Sequence, residues 1–381
     1  MAYLESKPRY EILDGLRGVA ALTVIVFHLV ETYFWGDPVH QHINHGYLAV
    51  DFFFVLSGFV VGYAYDDRWG KMNTWDFFKR RLVRLHPMIT ISIVFGMLMF
   101  YFRGGDIAPA TAWYYVLWMG VLNFFIFPIS GFDGRWGETF PLTGTHWSLL
   151  LEYFANIIYA FVLRRLPTKV LALLTVVAAL CSIDHALGLN TFGDMPADNN
   201  RLGTFIGGWG IDGWELHIAA VRLAFPFLVG MLLSRVKKFI TVNGGFWWTA
   251  LLIAIILFMP RIGGEDPSGF WKNGLYECIA VIVVFPIIIM MGAGSEVNGR
   301  KSSAICRFLG EISYPVYAMH FPFIYIQMNW VATHSNAPLS THIFVNTTFF
   351  LLSIATAYAT LKLYDEPVRE WLKDKVLRKK P

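Results

Sequence analysis

Residues 10–30 read YEILDGLRGVAALTVIVFHLV, an apolar segment that carries Asp14, Arg17 and His28. In an α-helix, the eleven residues from Arg17 to His28 return to within about 20° of the same face while rising roughly 16 Å. The three ionisable side chains therefore share one face. Taken singly, Asp14 and Arg17 fit interfacial anchors and His28 fits a hydrogen-bonded core histidine. Together they predict a functional site, because ionisable groups in a membrane span usually face a cavity or a partner.

The composition of the chain indicates a polytopic membrane protein. Of its 381 residues, 56% are hydrophobic, 17% aromatic and only 15% charged, which favours a helical bundle in lipid over soluble domains. The net charge of +4 comes largely from short basic clusters beside apolar segments, so we expect no nucleic-acid partner. The three cysteines lack disulfide or zinc spacing. The polar N-terminus leads directly into the charged helix, so no cleaved signal peptide is expected.

The predicted fold is an all-α polytopic transmembrane bundle of about ten crossings, forming one membrane domain over residues 1–381. The basic clusters place both termini in the cytoplasm. Between residues 84 and 146 an odd number of crossings is required, so we expect 88–102 to span and 111–129 to be re-entrant or interfacial. The apolar candidates are 12–33, 47–65, 88–102, 111–129, 147–164, 168–187, 218–234, 246–260, 273–292, 312–331 and 341–363.

A histidine-containing loop, GDPVHQHINHG, follows the first helix. The spacing of His40, His42 and His45 is one that zinc or copper can use. Asp37 is the nearest supporting carboxylate, so an ordinary outer loop is favoured and no metal site is predicted.

The longest outer loop, about 188–217, is rich in Gly, Asn and Trp. Trp209 and Trp214 fit either a sugar-stacking platform or an interfacial aromatic belt. The belt is the favoured interpretation because it is the commoner use of such residues.

Several other predicted spans carry polar groups, which together indicate a polar chamber inside the bundle. An aspartate as deep as Asp51 requires a partner, and Ser57 with Gly58 indicates a tightly packed helix face. Helix-packing hydrogen bonds would also account for some of these groups. The predicted supporting residues of the chamber are Asp51, Ser148, Glu152, Ser313, Tyr317 and His320.

Arg81 and Arg84 lie three residues apart in FFKRRLVRLHP. Positive-inside anchoring accounts for the cluster. Paired guanidinium groups on one helix face also fit the phosphates of a coenzyme A. The two interpretations are compatible.

Six stretches of the chain form a recognisable series: LDGLRGVAALTVIVFH at 13–28, VDFFFVLSGFV at 50–60, RRLVRLHP at 80–87, HWSLLLEYF at 146–154, LGEISYPVYAMH at 309–320 and DEPVR at 365–369. In this order they resemble the acyltransferase 3 family of integral membrane proteins, and the resemblance covers nearly the whole length. The family commonly has an aliphatic residue or tyrosine where His86 precedes Pro87. Many members also carry an esterase-like domain after the last span, which we do not expect here.

The resemblance implies a membrane O-acyltransferase that moves an acyl group, most often acetyl, from cytoplasmic acyl-CoA to a hydroxyl of a surface or exported carbohydrate or lipid-linked glycan. Acyl-CoA is the donor substrate, with no permanently bound cofactor. The implied localisation is a bacterial inner membrane. The resemblance also marks His28 and Arg17 as essential and Arg81 with Arg84 as a second motif.

We therefore predict His28, Arg17 and Asp14 as catalytic residues, and Arg81 and Arg84 as ligands of the acyl-CoA phosphates. Histidine near a carboxylate and arginines suits proton abstraction from an alcohol. We expect a neighbour such as Asp14, Glu152 or His320 to hold His28. A covalent acyl-histidine relay is the mechanistic alternative. A transporter or flippase for a glycan or glycolipid, or a scaffold of an export complex, is the functional alternative.

Overall fold

The computed structural model describes residues 7–103, 112–129, 135, 137–189, 191 and 202–377. Across these ranges the chain forms helices and turns and no strand, which confirms the all-α prediction. The α-helices are α1 (Glu11–Glu31), α2 (Ala49–Tyr65), α3 (Thr74–Arg103), α4 (Trp113–Phe124), α5 (His146–Phe161), α6 (Thr168–Leu187), α7 (Gly213–Val236), α8 (Gly245–Phe258), α9 (Trp271–Cys278), α10 (Phe285–Gly294), α11 (Arg300–Met319), α12 (Phe321–Thr333), α13 (Leu339–Thr360) and α14 (Glu366–Leu372).

Within the described residues, eight helical stretches are long and apolar enough to cross a membrane, which is the pattern of an integral membrane protein. Short 3₁₀ and π-helical turns extend several of the α-helices within them. The eight stretches are Glu11–Phe34, His45–Tyr65, Thr74–Tyr101, His146–Arg165, Thr168–Leu187, Gly213–Val236, Pro267–Gly294 and Leu339–Leu377.

Two of the ten predicted crossings have a different form. The segment 246–260 contains α8, whose 14 residues rise about 21 Å, less than the roughly 30 Å of a hydrocarbon core. The segment 312–331 is divided between α11 and α12, because the helix breaks at His320 and restarts with Pro322 in its first turn.

The region around 88–129 agrees with the prediction that only one of its two segments spans. Helix α3 is 30 residues long and continues through Pro87. Helix α4 has 12 residues, which rise only about 18 Å. Gly120 lets α4 pack on α3, since a Cβ at this position would lie 2.2 Å from the sulfur of Met97.

The chain divides into two compact units, with the boundaries inside α5 and α11. The first unit takes its described residues from Met1–Lys7, Asp67–Leu150 and Ile312–Pro381. Within it, the rings of Phe95 in α3 and Phe323 in α12 lie 5.3 Å apart between centroids. Arg369 pairs with the buried Asp365 at 2.7 Å and so fixes the last helical turns.

The second unit contains Pro8–Asp66 and Leu151–Glu311. Within it, α2 packs closely against α7, and glycines make the approach possible. A Cβ at Gly58 would lie 2.0 Å from the carbonyl oxygen of Phe227, and one at Gly230 would lie 2.0 Å from that of Val55. The tightly packed helix face predicted at Gly58 is confirmed.

Helix α1 is held in this second unit by equally close contacts. A Cβ at Gly18 would lie 2.4 Å from the carbonyl oxygen of Leu309 in α11. A Cβ at Gly15 would likewise lie 2.9 Å from a ring carbon of Phe246 in α8. These contacts fix the rotation of α1 and therefore the direction of its polar stripe.

Candidate functional site

His28 lies in the last turn of α1, beside a carboxylate. Its Nδ1 is 2.7 Å from Oε2 of Glu31, and the two side chains are 18% and 14% exposed. A carboxylate can only accept a hydrogen bond, so Nδ1–H donates a hydrogen bond to Glu31, and in the neutral imidazole the lone pair then lies on Nε2. A histidine held in this way can accept a proton from a substrate hydroxyl.

Glu31 was not among the neighbours predicted to hold His28. Asp14 is fourteen residues earlier on the same helix, a rise of about 21 Å, which no side-chain contact can bridge. Glu152 accepts a hydrogen bond from Ser57 at 3.3 Å. The available signal for Glu31 was its i, i+3 spacing from His28, which places both on one helix face.

Arg17 and Asp14 form a second cluster on α1. Nη2 of Arg17 lies 3.4 Å from Oδ1 of Asp14 and donates a hydrogen bond to the carbonyl oxygen of Gly310 at 3.0 Å. Both side chains stay partly exposed, at 25% and 30%. The predicted catalytic residues therefore lie in two groups along one helix, with Asp14 beside Arg17 and not beside His28.

Asp51 has the partner that its depth in the apolar core required. It pairs with Arg222 of α7 at 2.7 Å, and both side chains are almost completely buried. Arg222 also donates to the carbonyl oxygens of Gly207 and Tyr47, each at 2.7 Å. These bonds explain the burial of Asp51 structurally, and a role in a chamber stays a prediction.

A buried hydrogen-bond network surrounds Glu277 of α9. Glu277 accepts hydrogen bonds from the Tyr47 hydroxyl and, at 2.5 Å, from the amide of Asn273. The Tyr47 hydroxyl also contacts the hydroxyl of Thr204 at 2.8 Å. Nε2 of His45 lies 3.0 Å from Oδ1 of Asn273. His45 is thus a fully buried residue of this loop, held by its contact with Asn273.

His40 stays on the surface of the same loop. Its Nδ1 lies 2.7 Å from Asp37, and this hydrogen bond raises the pKa of His40. Among the described residues, no three His, Cys, Asp or Glu side chains are grouped as a metal site requires.

Arg81 and Arg84 are presented differently in the first unit. Arg81 is only 3% exposed, whereas Arg84 is exposed. Tyr314 donates to the carbonyl oxygen of Leu85 at 2.8 Å, which joins α11 to this turn of α3. Their role as phosphate ligands stays a prediction.

The first unit also brings together two predicted chamber residues. The hydroxyls of Ser148 and Tyr317 lie 2.6 Å apart, and Thr145 donates to the carbonyl oxygen of Tyr317 at 3.1 Å. Ser313 is 1% exposed, and His320 is fully buried, with Nδ1 3.0 Å from the carbonyl oxygen of Val316. These contacts join α5 to α11 and suit helix packing as well as chemistry.

The two tryptophans of the longest loop lie beside polar groups. The carboxylate of Glu215 accepts hydrogen bonds from the backbone of Gly208 at 2.5 Å and of Trp209 at 3.1 Å. The ring of Trp214 stacks on that of His217 with centroids 5.3 Å apart. Neither contact distinguishes an aromatic belt from a sugar platform. Part of this loop, 190 and 192–201, lies outside the described residues.

Comparison with known proteins gives a family match over almost the whole chain. The profile of the acyltransferase 3 family, described as an acyltransferase domain, matches residues 10–378. No solved structure matches.

Three curated relatives are similar to this chain, and two of them are named as O-acetyltransferases. The putative peptidoglycan O-acetyltransferase YrhL of Bacillus subtilis (strain 168) is 28% identical over 82% of this chain and 48% of its own length. The peptidoglycan O-acetyltransferase OatA of Listeria monocytogenes is 26% identical over 82% and 49%. Protein 2 in picA locus of Rhizobium radiobacter is 32% identical over 45% and 92%. The chain thus spans about half the length of the two O-acetyltransferases.

Proposed function

Because the chain belongs to the acyltransferase 3 family, we propose that it is a membrane O-acetyltransferase in which His28 is the general base. The observation that carries this proposal is the 2.7 Å hydrogen bond between His28 and Glu31. This hydrogen bond keeps the proton of the neutral imidazole on Nδ1, so Nε2 can accept a proton. The side chains of His28 and Glu31 both remain partly exposed. Two relatives named as O-acetyltransferases support the reaction class.

The proposed reaction transfers one acetyl group without a redox change. Nε2 of His28 takes the proton of an acceptor hydroxyl as its oxygen attacks the thioester carbonyl carbon. The tetrahedral intermediate collapses, the carbon–sulfur bond breaks, and the thiolate leaves with the proton that His28 received. Glu31 stabilises the imidazolium that exists between these two proton transfers.

The proposed donor is cytoplasmic acyl-CoA, with acetyl-CoA as the first candidate. Arg81 and Arg84 would bind its phosphates, because guanidinium groups pair with phosphate oxygens. Arg17, held by Asp14 and about 16 Å along α1 from His28, would bind negative charge on the donor. The six basic clusters that favour a cytoplasmic side for both termini support this orientation.

The proposed acceptor is a hydroxyl of a surface or exported carbohydrate or of a lipid-linked glycan, in a bacterial inner membrane. Support comes from the two relatives whose names include peptidoglycan. A direct transfer and a relay through acetyl-His28 both use Nε2 of His28 and the carbonyl carbon of the thioester. They differ in one observable, since only the relay labels the protein when acceptor is absent.

The test is transfer of radiolabelled acetyl from acetyl-CoA to uncross-linked peptidoglycan strands by the purified protein in liposomes. We expect turnover by the wild type and a loss of at least about 100-fold in His28→Ala, because the proton acceptor is gone. His334→Ala, at an exposed histidine, is the matched control and should retain wild-type turnover.

Two results would contradict the proposal. Wild-type turnover by a folded His28→Ala variant would exclude His28 as the base. No reaction of the wild type with acetyl-, succinyl- or longer acyl-CoA would exclude the enzyme and favour a transporter of glycans.

A further inference from the structure

A buried arginine outside the predicted site lies in the first unit, between α4 and α5. Arg135 is only 2% exposed. Its guanidinium carbon lies 3.5 Å from the ring centroid of Tyr325 and 4.9 Å from that of Phe100. Two aromatic rings therefore hold this cation through cation–π contacts.

Glu138 fixes the surroundings of Arg135. The hydroxyl of Tyr325 donates to Oε2 of Glu138, and the backbone N–H of Glu138 donates to the carbonyl oxygen of Arg135 at 2.9 Å. Glu138 therefore connects Arg135 to α12. Burial lowers the pKa of Arg135, yet a guanidinium stays protonated in proteins.

Arg135 has unused donors in this buried position. Among the described residues, neither its Nε nor its Nη1 has a hydrogen-bond partner, so three N–H groups are unpaired there. Buried polar groups in native proteins are almost always paired. The arrangement therefore indicates an occupant that brings several acceptor oxygens together with negative charge, as a carboxylate or a phosphate does.

The topology favours the acceptor as the source of this group. The basic cluster at 79–84 predicts a cytoplasmic start for α3, and one crossing separates it from the turn that holds Arg135. This places Arg135 on the side of the membrane opposite to the predicted acyl-CoA phosphates. An anion that reaches Arg135 from that side belongs to an exported molecule.

We propose that Arg135 binds an anionic oxygen group, a carboxylate or a phosphate, on the glycan acceptor. The assignment to the acceptor rests on the proposed function, whereas the anion site itself does not. An enzyme with such a site prefers acidic or phosphate-bearing glycans to neutral ones. The negative charge of Glu138 repels a second anion and so lowers the affinity of Arg135 for it.

The test is anion binding by the purified full-length protein in detergent, followed through its melting temperature. The probes are galacturonate, inorganic phosphate and neutral galactose at equal concentrations. We expect an anion to raise the melting temperature of the wild type and galactose to leave it unchanged. A shift with galacturonate alone identifies a carboxylate site, and a shift with phosphate alone identifies a phosphate site.

Variants assign the binding to this cluster. Arg135→Gln should raise the dissociation constant for the anion at least tenfold. Arg300→Gln, at an exposed arginine, should leave this constant unchanged. Glu138→Gln should tighten binding severalfold, because a neighbouring negative charge is removed while an acceptor for Tyr325 remains. This opposite sign keeps the proposal falsifiable if Arg135→Gln fails to fold.

The proposal is overturned if no anion stabilises the wild type, if galactose stabilises it equally, or if Glu138→Gln weakens binding. It is also overturned if folded Arg135→Gln binds anions as the wild type does. Failure of acetyl transfer with anion binding intact overturns the proposed function and leaves the anion site. In an active enzyme, Arg135→Gln should raise KM for an acidic glycan while kcat stays unchanged.

Discussion

Asp51 and Arg222 illustrate how one buried side chain determines the role of another. Arg222 donates hydrogen bonds to both carboxylate oxygens of Asp51 and to two backbone carbonyls. Removing one member of such a pair leaves an uncompensated charge away from water. The pair therefore holds α2 and α7 together only while both residues are present.

We predict that Asp51→Asn destabilises the protein by about 3–5 kcal/mol, because Arg222 stays buried without a counter-charge. The measurement is the melting temperature in detergent, beside Glu296→Gln, which changes an exposed carboxylate. The double variant Asp51→Asn with Arg222→Gln should lose less than the sum of the two single variants. An unchanged melting temperature in Asp51→Asn would contradict this account.

The residues of α1 show what sequence periodicity can predict. It correctly placed Asp14, Arg17 and His28 on one helix. It did not identify Gly310 as an acceptor for Arg17, because that contact joins residues 293 positions apart. Glu31, the last residue of α1, was not among the predicted site residues although the predicted span 12–33 contains it.

At the scale of elements, α2 and α7 depend on glycine for their close approach. The backbones meet at Gly58 and Gly230, where a side chain would overlap a carbonyl oxygen of the other helix. Small residues at such contacts allow backbone packing that larger residues prevent. The sequence indicated the close approach on α2 but not which helix would provide it.

We predict that Gly58→Ala lowers the free energy of unfolding by about 1–3 kcal/mol or more, because the added Cβ forces α2 and α7 apart. Gly213→Ala is the matched control, since a Cβ there meets nothing within 4 Å. The measurement is thermal unfolding of both variants in the same detergent. Equal melting temperatures would show that the close approach does not stabilise this unit.

Helix boundaries were the least predictable feature of the elements. Hydropathy located the apolar stretches, including the short segment 246–260 that contains the 14 residues of α8, but it did not show that α11 and α12 are separate. A hydropathy window averages composition and does not detect where capping or proline interrupts the hydrogen bonds.

At the scale of the whole molecule, the all-α membrane fold and the family followed from the sequence. The all-α class rests on composition and apolar segment length, which an average over many residues determines well. The predicted ten crossings compare with eight stretches, within the part of the chain that the structure describes, that meet both the length and the hydropathy expected of a span. The difference depends largely on α8 and on the α11–α12 region.

We predict that α8 crosses the membrane despite its length, because basic residues precede it and none of the cytoplasmic clusters follows it directly. The test uses Lys238→Cys and Glu265→Cys, both exposed, in a background without Cys181, Cys278 and Cys306. A membrane-impermeant thiol reagent should label Glu265→Cys in intact cells and Lys238→Cys only after permeabilisation. Labelling of both from the same side would contradict the crossing.

The central claim is that His28, oriented by Glu31, is the base of an acyl transfer. It is tested most directly by kcat and KM of acetyl transfer for Glu31→Gln beside Glu296→Gln. We predict that Glu31→Gln lowers kcat by about 10- to 1000-fold, because the imidazolium loses its carboxylate, and leaves KM for acetyl-CoA nearly unchanged. Kinetics of folded Glu31→Gln equal to those of Glu296→Gln would contradict the claim.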